Sequence, residues 1–157
     1  MGYQVVKTYG HDLGLSATFR QYKADSHCNK LHGYALQVTL VFESNDLNDA
    51  NWVIGFGDLK PIKEFLEKTF DHKLVVAEDD PMLEWVLDGQ TKGYCDVVVL
   101  PKVGCEAFAE YVGNFVNNWL MHKIIRDNLT NRPQLISVEI REHGSNAAKW
   151  INTNVYR

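Results

Sequence analysis

Hydrophobic and polar positions along the chain follow two periods, and the change from one to the other marks its elements. Residues 34–43, YALQVTLVFE, alternate and are rich in β-branched and aromatic side chains, which predicts a strand. Residues 135–142, LISVEIRE, alternate in the same way, and residues 147–156 suggest a last strand. Residues 3–9 and 12–20 read as extended, with a break at Gly10 or Gly14, and the polar residues 21–31 connect them to the strand that follows. Helical spacing takes over at Leu59, Ile62, Phe65, Leu66 and Phe70, with Asp58 as the expected N-cap and Pro61 in the first turn. A second helix is predicted from about Cys105 to Ile125, its apolar face carried by Phe108, Val112, Phe115, Trp119 and Leu120. Between the helices, DVVVL at 96–100 forms a short strand stopped by Pro101. The order is two strands, helix, short strand, helix, two strands. It predicts an α+β layer fold in which an antiparallel sheet carries its helices on one face. Such a sheet has a bare side and open edges, and Trp52, Trp85, Trp119 and Trp150 add apolar surface, so a symmetric homo-oligomer is expected.

Length and composition narrow this picture without changing it. A chain of 157 residues with 45% hydrophobic and 23% charged content is expected to form a single domain over 1–157 with a proper core. No apolar run reaches the roughly 18 residues of a membrane span. MGYQVVKTYG lacks the basic-then-apolar layout of a secretory leader, and position 6 holds no Ser or Thr for myristoylation, so a cytoplasmic protein is expected. A formal net charge of −4 argues against general nucleic-acid binding, though not against a small anionic substrate. Cys28, Cys95 and Cys105 show no CxxC spacing and read as free thiols.

The densest chemistry lies between Leu15 and Val41. There Cys28 precedes the pair His32-Gly33 at the mouth of a strand, which sets a thiol beside an imidazole. Six short motifs, in order along nearly the whole chain, resemble the 6-pyruvoyltetrahydropterin synthase and 6-carboxytetrahydropterin synthase family. Leu15-Ser16-Ala17-Thr18-Phe19-Arg20 stands where the family has Phe-Ser-Ala-x-His-Arg, and Cys28 to Tyr34 where it has Cys-x-x-x-His-Gly-His. Phe56-Gly57-Asp58-Leu59-Lys60 matches its first helix start, and Asp71-His72 its Asp-His element. Pro101 with Cys105-Glu106-Ala107 matches its second helix start loosely, and Val138 to His143 its closing strand.

The resemblance implies a T-fold: a four-stranded antiparallel sheet with two helices on one face, joined between subunits into an oligomeric barrel. It implies a homohexamer of two trimers with sites between subunits. The substrate it implies is a pterin triphosphate, 7,8-dihydroneopterin triphosphate. The implied reaction is a lyase step to 6-carboxytetrahydropterin, with loss of acetaldehyde and triphosphate, on the way to queuosine and other 7-deazaguanines. Carried over residue by residue, Cys28 moves protons as a thiolate. Asp71 fixes the tautomer of His72 as an acid or base. Glu142 grips the amino-pyrimidine edge of the pterin, with Glu106 as a second contact. Each also has a plainer reading: a small packed thiol, a helix-terminal His, a strand-end carboxylate beside Arg141, and an acid stabilising a helix N-terminus. Cys95 and Cys105 are expected only to pack, and His11 and His122 to lie at the surface. Arg20, Lys23 and Lys30 are the cations expected to meet the triphosphate.

The implied cofactor is zinc held by three histidines, and here the pattern departs. Phe19 and Tyr34 occupy two of the three positions, which leaves His32 alone, whereas a catalytic zinc site needs about three protein ligands. His27 and His143 appear where the family has other residues, and suggest a site rebuilt from His32 with His27 and His143. The alternative is that both are solvated and that no metal binds. Adjacent residues on an extended chain face opposite ways, so His27 shares a site with Cys28 only on a bent loop. Two other readings stay open: a pterin- or purine-binding module without turnover, and a related activity such as phosphate elimination or aldol cleavage on the same fold.

Overall fold

The computed structural model describes residues 2–155 and is organised around one long strand, β3, His32–Ser44. Strands β1 (Tyr3–Tyr9) and β2 (Leu15–Phe19) pair with it antiparallel, one after the other along one edge, with Tyr9 opposite Val38 and Leu15 opposite Leu36. Residues 10–14 are therefore an excursion opposite Gln37. It contains a single 3-10 turn and closes at Gly14, whose φ of 78° suits a residue without Cβ. The break expected near the two glycines is thus an inserted turn. β6 (Gln134–His143) lines the other edge of β3, and β7 (Asn146–Ile151) continues it, both antiparallel. The last strand is thus shorter than the expected 147–156, of which Tyr156 lies outside the described residues.

Side chains alternate across this sheet, and one set is dry. Leu36, Val38, Leu40 and Phe42 of β3, Leu15, Ala17 and Phe19 of β2, and Val138 and Ile140 of β6 are all buried. Helices α1 (Lys60–Phe70) and α3 (Cys105–Arg126) cover that face with Ile62, Leu66, Phe70, Phe108, Val112, Val116 and Leu120. The two helices meet where Phe65 and Phe115 stack with ring centroids 3.7 Å apart. Gly113 lets the Trp150 ring of β7 rest directly on α3, since a Cβ there would lie 2.6 Å from the ring. Trp119 and Trp150 pack against the core, whereas Trp52 and Trp85 stay exposed.

Two expectations are corrected. Asp58 does not cap α1: Leu59 takes the N-cap position with no side-chain bond. The Asp58 carboxylate instead lies 3.1 Å from Lys123 Nζ, which also donates to Asp127 at 2.7 Å and is buried. This pairing ties the start of α1 to the end of α3, because an interior ammonium needs carboxylate partners.

The sheet, moreover, is mixed and, among the described residues, seven-stranded rather than a four-stranded antiparallel one, with three α-helices rather than two. Residues 73–100 form a parallel unit: β4 (Lys73–Ala77), α2 (Leu83–Thr91) and β5 (Asp96–Leu100), with β4 laid parallel to β2. Val75 and Ala77 join the main core, while Leu74 shares an apolar pocket with Trp85 and Val86. α2 therefore covers the opposite face of this end of the sheet. It escapes sequence patterning because it is nine residues long, contains Gly89 and buries only Val86.

Phe108 joins the helix layer to the sheet at its open end, with Phe19 at 5.1 Å and Phe70 at 5.2 Å. Phe108→Ala is expected to lower unfolding free energy by about 3–5 kcal/mol, read by urea denaturation.

Candidate functional site

The buried face of the sheet runs past the first turn of α3 and opens there into a cleft of about 230 Å³. Strand parity supplies its floor. Phe19 ends β2 directly opposite His32, and both line the cleft; Tyr34 follows two residues along the same face of β3, outside the lining. Glu142 prolongs the series Val138, Ile140 on β6. The wall comes from Gly104, Cys105 and Glu106 at the start of α3, and the rim from Gln21 and Cys28. Cys28, His32, Glu106 and Glu142, separated by up to 114 residues (142 − 28), thus line one cleft.

Three ties fix the segment that carries Cys28. Arg20 donates through Nε and one terminal nitrogen to Asp80, at 3.0 and 2.6 Å, and through the other to the Asn29 carbonyl at 3.4 Å. The Gln21 amide donates to the Cys28 carbonyl at 2.9 Å. Gln21 Nε2 donates to the Val103 carbonyl at 2.7 Å, just before α3. Gly104 has φ 108°, and a Cβ there would run into that same Gln21 amide group, so glycine is required on both counts. Cys28 itself lies in a 3-10 turn, His27–Asn29, capped by Ser26 Oγ accepting from the Cys28 N–H at 3.3 Å.

These ties revise the reading of the basic residues. Arg20 is committed to Asp80, whose side chain is 1% exposed, and Lys23 donates to Asp79 at 2.9 Å. Both cations hold the loop to the β4–α2 connection. Lys30 is exposed.

Cys105 packs in the core and also lines the cleft. Burial pushes its thiol up to about 12, and the neighbouring Glu142 and Glu106 carboxylates act in the same direction. It stays protonated beside Glu142 at the start of α3. Burial, and then the charge of Glu142, raise the Tyr34 phenol, so it keeps its proton. Neither role has a signal in the sequence, because both depend on β6 meeting the start of α3.

Donor chemistry decides whether zinc suits this place. The Phe19, His32 and Tyr34 rings form a triangle with centroids 5.0, 5.7 and 6.3 Å apart. Phe19 offers no lone pair, and Tyr34 holds a phenolic proton. His32 Nδ1 lies 2.7 Å from the Lys30 carbonyl, an acceptor, so this nitrogen carries hydrogen and a single free nitrogen remains. The rebuilt set does not converge. His27 is exposed and outside the cleft lining, although its loop is bent. His143 stacks obliquely on Tyr34 at 5.9 Å, with Nδ1 accepting from the Ser145 N–H. Among the described residues, no group of three His, Cys, Asp or Glu side chains is placed to hold a metal ion. The residues present do not fit the zinc that the resemblance implies.

Asp71 and His72 lie outside this lining in the single chain. His72 Nδ1 is 2.6 Å from Asp71 Oδ1, which leaves Nε2 free, and the imidazole is 86% exposed. Its φ of 56° is left-handed, a conformation that turns the ring outward at the end of α1.

Comparisons with known proteins agree with this geometry. The sequence model of the 6-pyruvoyl tetrahydropterin synthase family matches residues 11–152. A 6-carboxy-5,6,7,8-tetrahydropterin synthase of Aquifex aeolicus is 23% identical over 161 residues, covering 96% of this chain and 98% of that one. An uncharacterized protein of Wolinella succinogenes superposes with a TM-score of 0.79 at 19% identity, over 97% of this chain and 99% of its own. The 6-pyruvoyl tetrahydropterin synthase of Plasmodium falciparum gives 0.62 at 17% identity, over 95% and 96%. These likenesses establish the T-fold, here in a form with a mixed sheet.

The Asp80 carboxylate is held below the usual range, chiefly by its bonds from Arg20. A depressed folded value means stability that is present above the unfolded value and lost as pH falls through the folded one. Asp80→Asn is expected to cost ~2 kcal/mol at neutral pH. The gap from the parent should close as pH drops below about 4, measured by urea unfolding across pH.

Proposed function

This chain belongs to the 6-pyruvoyl tetrahydropterin synthase family, and on that premise we propose that it binds a pterin at the open end of its sheet and acts there as a lyase. The substrate on this reading is 7,8-dihydroneopterin triphosphate and the product 6-carboxytetrahydropterin, an early step towards queuosine and other 7-deazaguanines. One observation carries the reading: Glu142, Glu106 and Cys28 line the same cleft. The named Aquifex aeolicus relative supports the choice of product.

A pterin presents two parallel N–H donors along its amino-pyrimidine edge, and a carboxylate accepts both. Glu142 fills that role, with Glu106 as a second acceptor. Cys28, on the opposite rim, removes or returns the side-chain proton as a thiolate. His72, oriented by Asp71, is the partner acid or base. Because it faces outward, it would serve the cleft of a neighbouring subunit in a hexamer of two trimers. No helix among the described residues is long and apolar enough to cross a membrane, in keeping with a cytoplasmic enzyme. Family enzymes generally use zinc; since the residues here do not fit it, no step is assigned to a metal. The same aromatic triangle favours a second reading, a module that holds a pterin without turning it over.

Incubating the assembled protein with 7,8-dihydroneopterin triphosphate, and separating the products by chromatography, distinguishes the two. Turnover that Cys28→Ala abolishes supports the lyase, while binding without turnover in either protein supports the module. Glu142→Gln is expected to weaken pterin binding by roughly 10- to 100-fold, the loss of a charge-assisted pair of bonds. Absence of both binding and turnover overturns the pterin assignment.

A further inference from the structure

Gln21 lines the cleft together with Cys28 and is fastened at three points. Its backbone N–H donates to the Cys28 carbonyl and its carbonyl accepts from the Ala24 N–H, both at 2.9 Å. Its side chain donates through Nε2 to the Val103 carbonyl at 2.7 Å. Because the partner there is a carbonyl, the amide cannot be turned over: its nitrogen faces Val103, and its oxygen is left for something else. The surroundings of Gly104 give the direction of that oxygen. A Cβ on Gly104 would run into Nε2 and lie 3.3 Å from Cδ, and the next atom it would meet is a Glu106 carboxylate oxygen at 4.0 Å. Oε1 is no nearer than that, so the amide shows its nitrogen to the wall of the cleft and turns its oxygen away from it. Among the described residues nothing donates to Oε1. Glu142, Glu106 and this half-buried, immobilised amide oxygen thus present acceptors to one cleft.

We propose that Gln21 Oε1 accepts a hydrogen bond from the N8–H of the bound pterin, and that Gln21 is the residue that distinguishes a 7,8-dihydro ring from an oxidised one. The inference rests on the pterin reading above and adds a specificity-determining residue to it. A 7,8-dihydropterin carries N–H bonds at N3, at N8 and, twice, on the 2-amino group. Glu142 takes N3–H and the nearer amino hydrogen. The other amino hydrogen and N8–H flank N1 along the adjoining edge, and two neighbouring acceptors, Glu106 and Gln21, match that pair. In an oxidised pterin N8 has no hydrogen and presents a lone pair instead. Facing Oε1, it would set one acceptor against another, so that both polar atoms lose water and neither gains a partner. No bond is made or broken in this role: Gln21 acts in binding alone.

The test is equilibrium binding of 7,8-dihydroneopterin and of neopterin to the assembled protein, under nitrogen so that the reduced ligand survives. The parent is expected to hold the reduced ligand at least ~10-fold tighter than the oxidised one. Gln21→Met keeps the length of the side chain and removes the amide. It should bring the two affinities within ~2-fold of each other, chiefly by weakening the binding of the reduced ligand. A residue that only holds the rim in place would weaken both ligands alike and leave their ratio standing, and that result overturns the proposal. Equal affinities in the parent overturn it too, while the pterin reading survives. Should Gln21→Met fail to assemble, Gln21→Asn, which draws the amide back by one methylene, is read in the same way. If neither ligand binds the parent, the pterin reading falls and takes this inference with it.

Discussion

The register of β3 is the constraint on which everything else rests. Its even-numbered side chains lie on one face, beginning with His32 in the cleft and Tyr34 beside it, and continuing through Leu36, Val38, Leu40 and Phe42 in the core. A slip of one residue against β2 would exchange the two faces, exposing the core and turning both rings to the bare side. Gly33 helps to prevent this. A Cβ there would lie 2.6 Å from the Ala17 carbonyl, so β2 and β3 approach as closely as they do only with glycine at that point. The His-Gly pair is thus a packing device and a site device at once.

The same continuity explains why aromatic rings suit Phe19 and Tyr34, the two positions where the resemblance implies ligands. Phe19 stands where core becomes cleft, and an aromatic side chain there extends the row Phe70–Phe108–Phe19 by one ring. Burying it is favourable by the ordinary hydrophobic effect, whereas a buried imidazole with nothing to ligate would be left unsatisfied. Tyr34 completes the ring cluster against Phe19 and His32.

Much of this is legible along the chain, and what escapes has physical reasons. The strands over 34–43 and 135–142 and both long helices announce themselves by period, because each has one wet and one dry face. The unit over 73–100 does not. β4 is covered on both faces, so it lacks alternation, and α2 is too short to show a stripe. Cys28, Glu106 and Glu142 are readable from ordered motifs, and the cleft does assemble them. The duties of Arg20, Lys23 and Asp58 are not, since an ion pair between residues 60 apart, such as Arg20 with Asp80, leaves no trace in local pattern. His27 and His143 resemble replacements because they sit near the right motifs, but nearness in sequence does not become convergence in space.

The bond from Gln21 to the Val103 carbonyl joins segments 82 residues apart. Through it, and through the tight turn at Gly104, the rim bearing Cys28 is tied to the helix end bearing Glu106. A flat ring entering between them meets a gap already set to width. Little of its interaction free energy is then spent on ordering the protein, and selection falls on the shape of the guest.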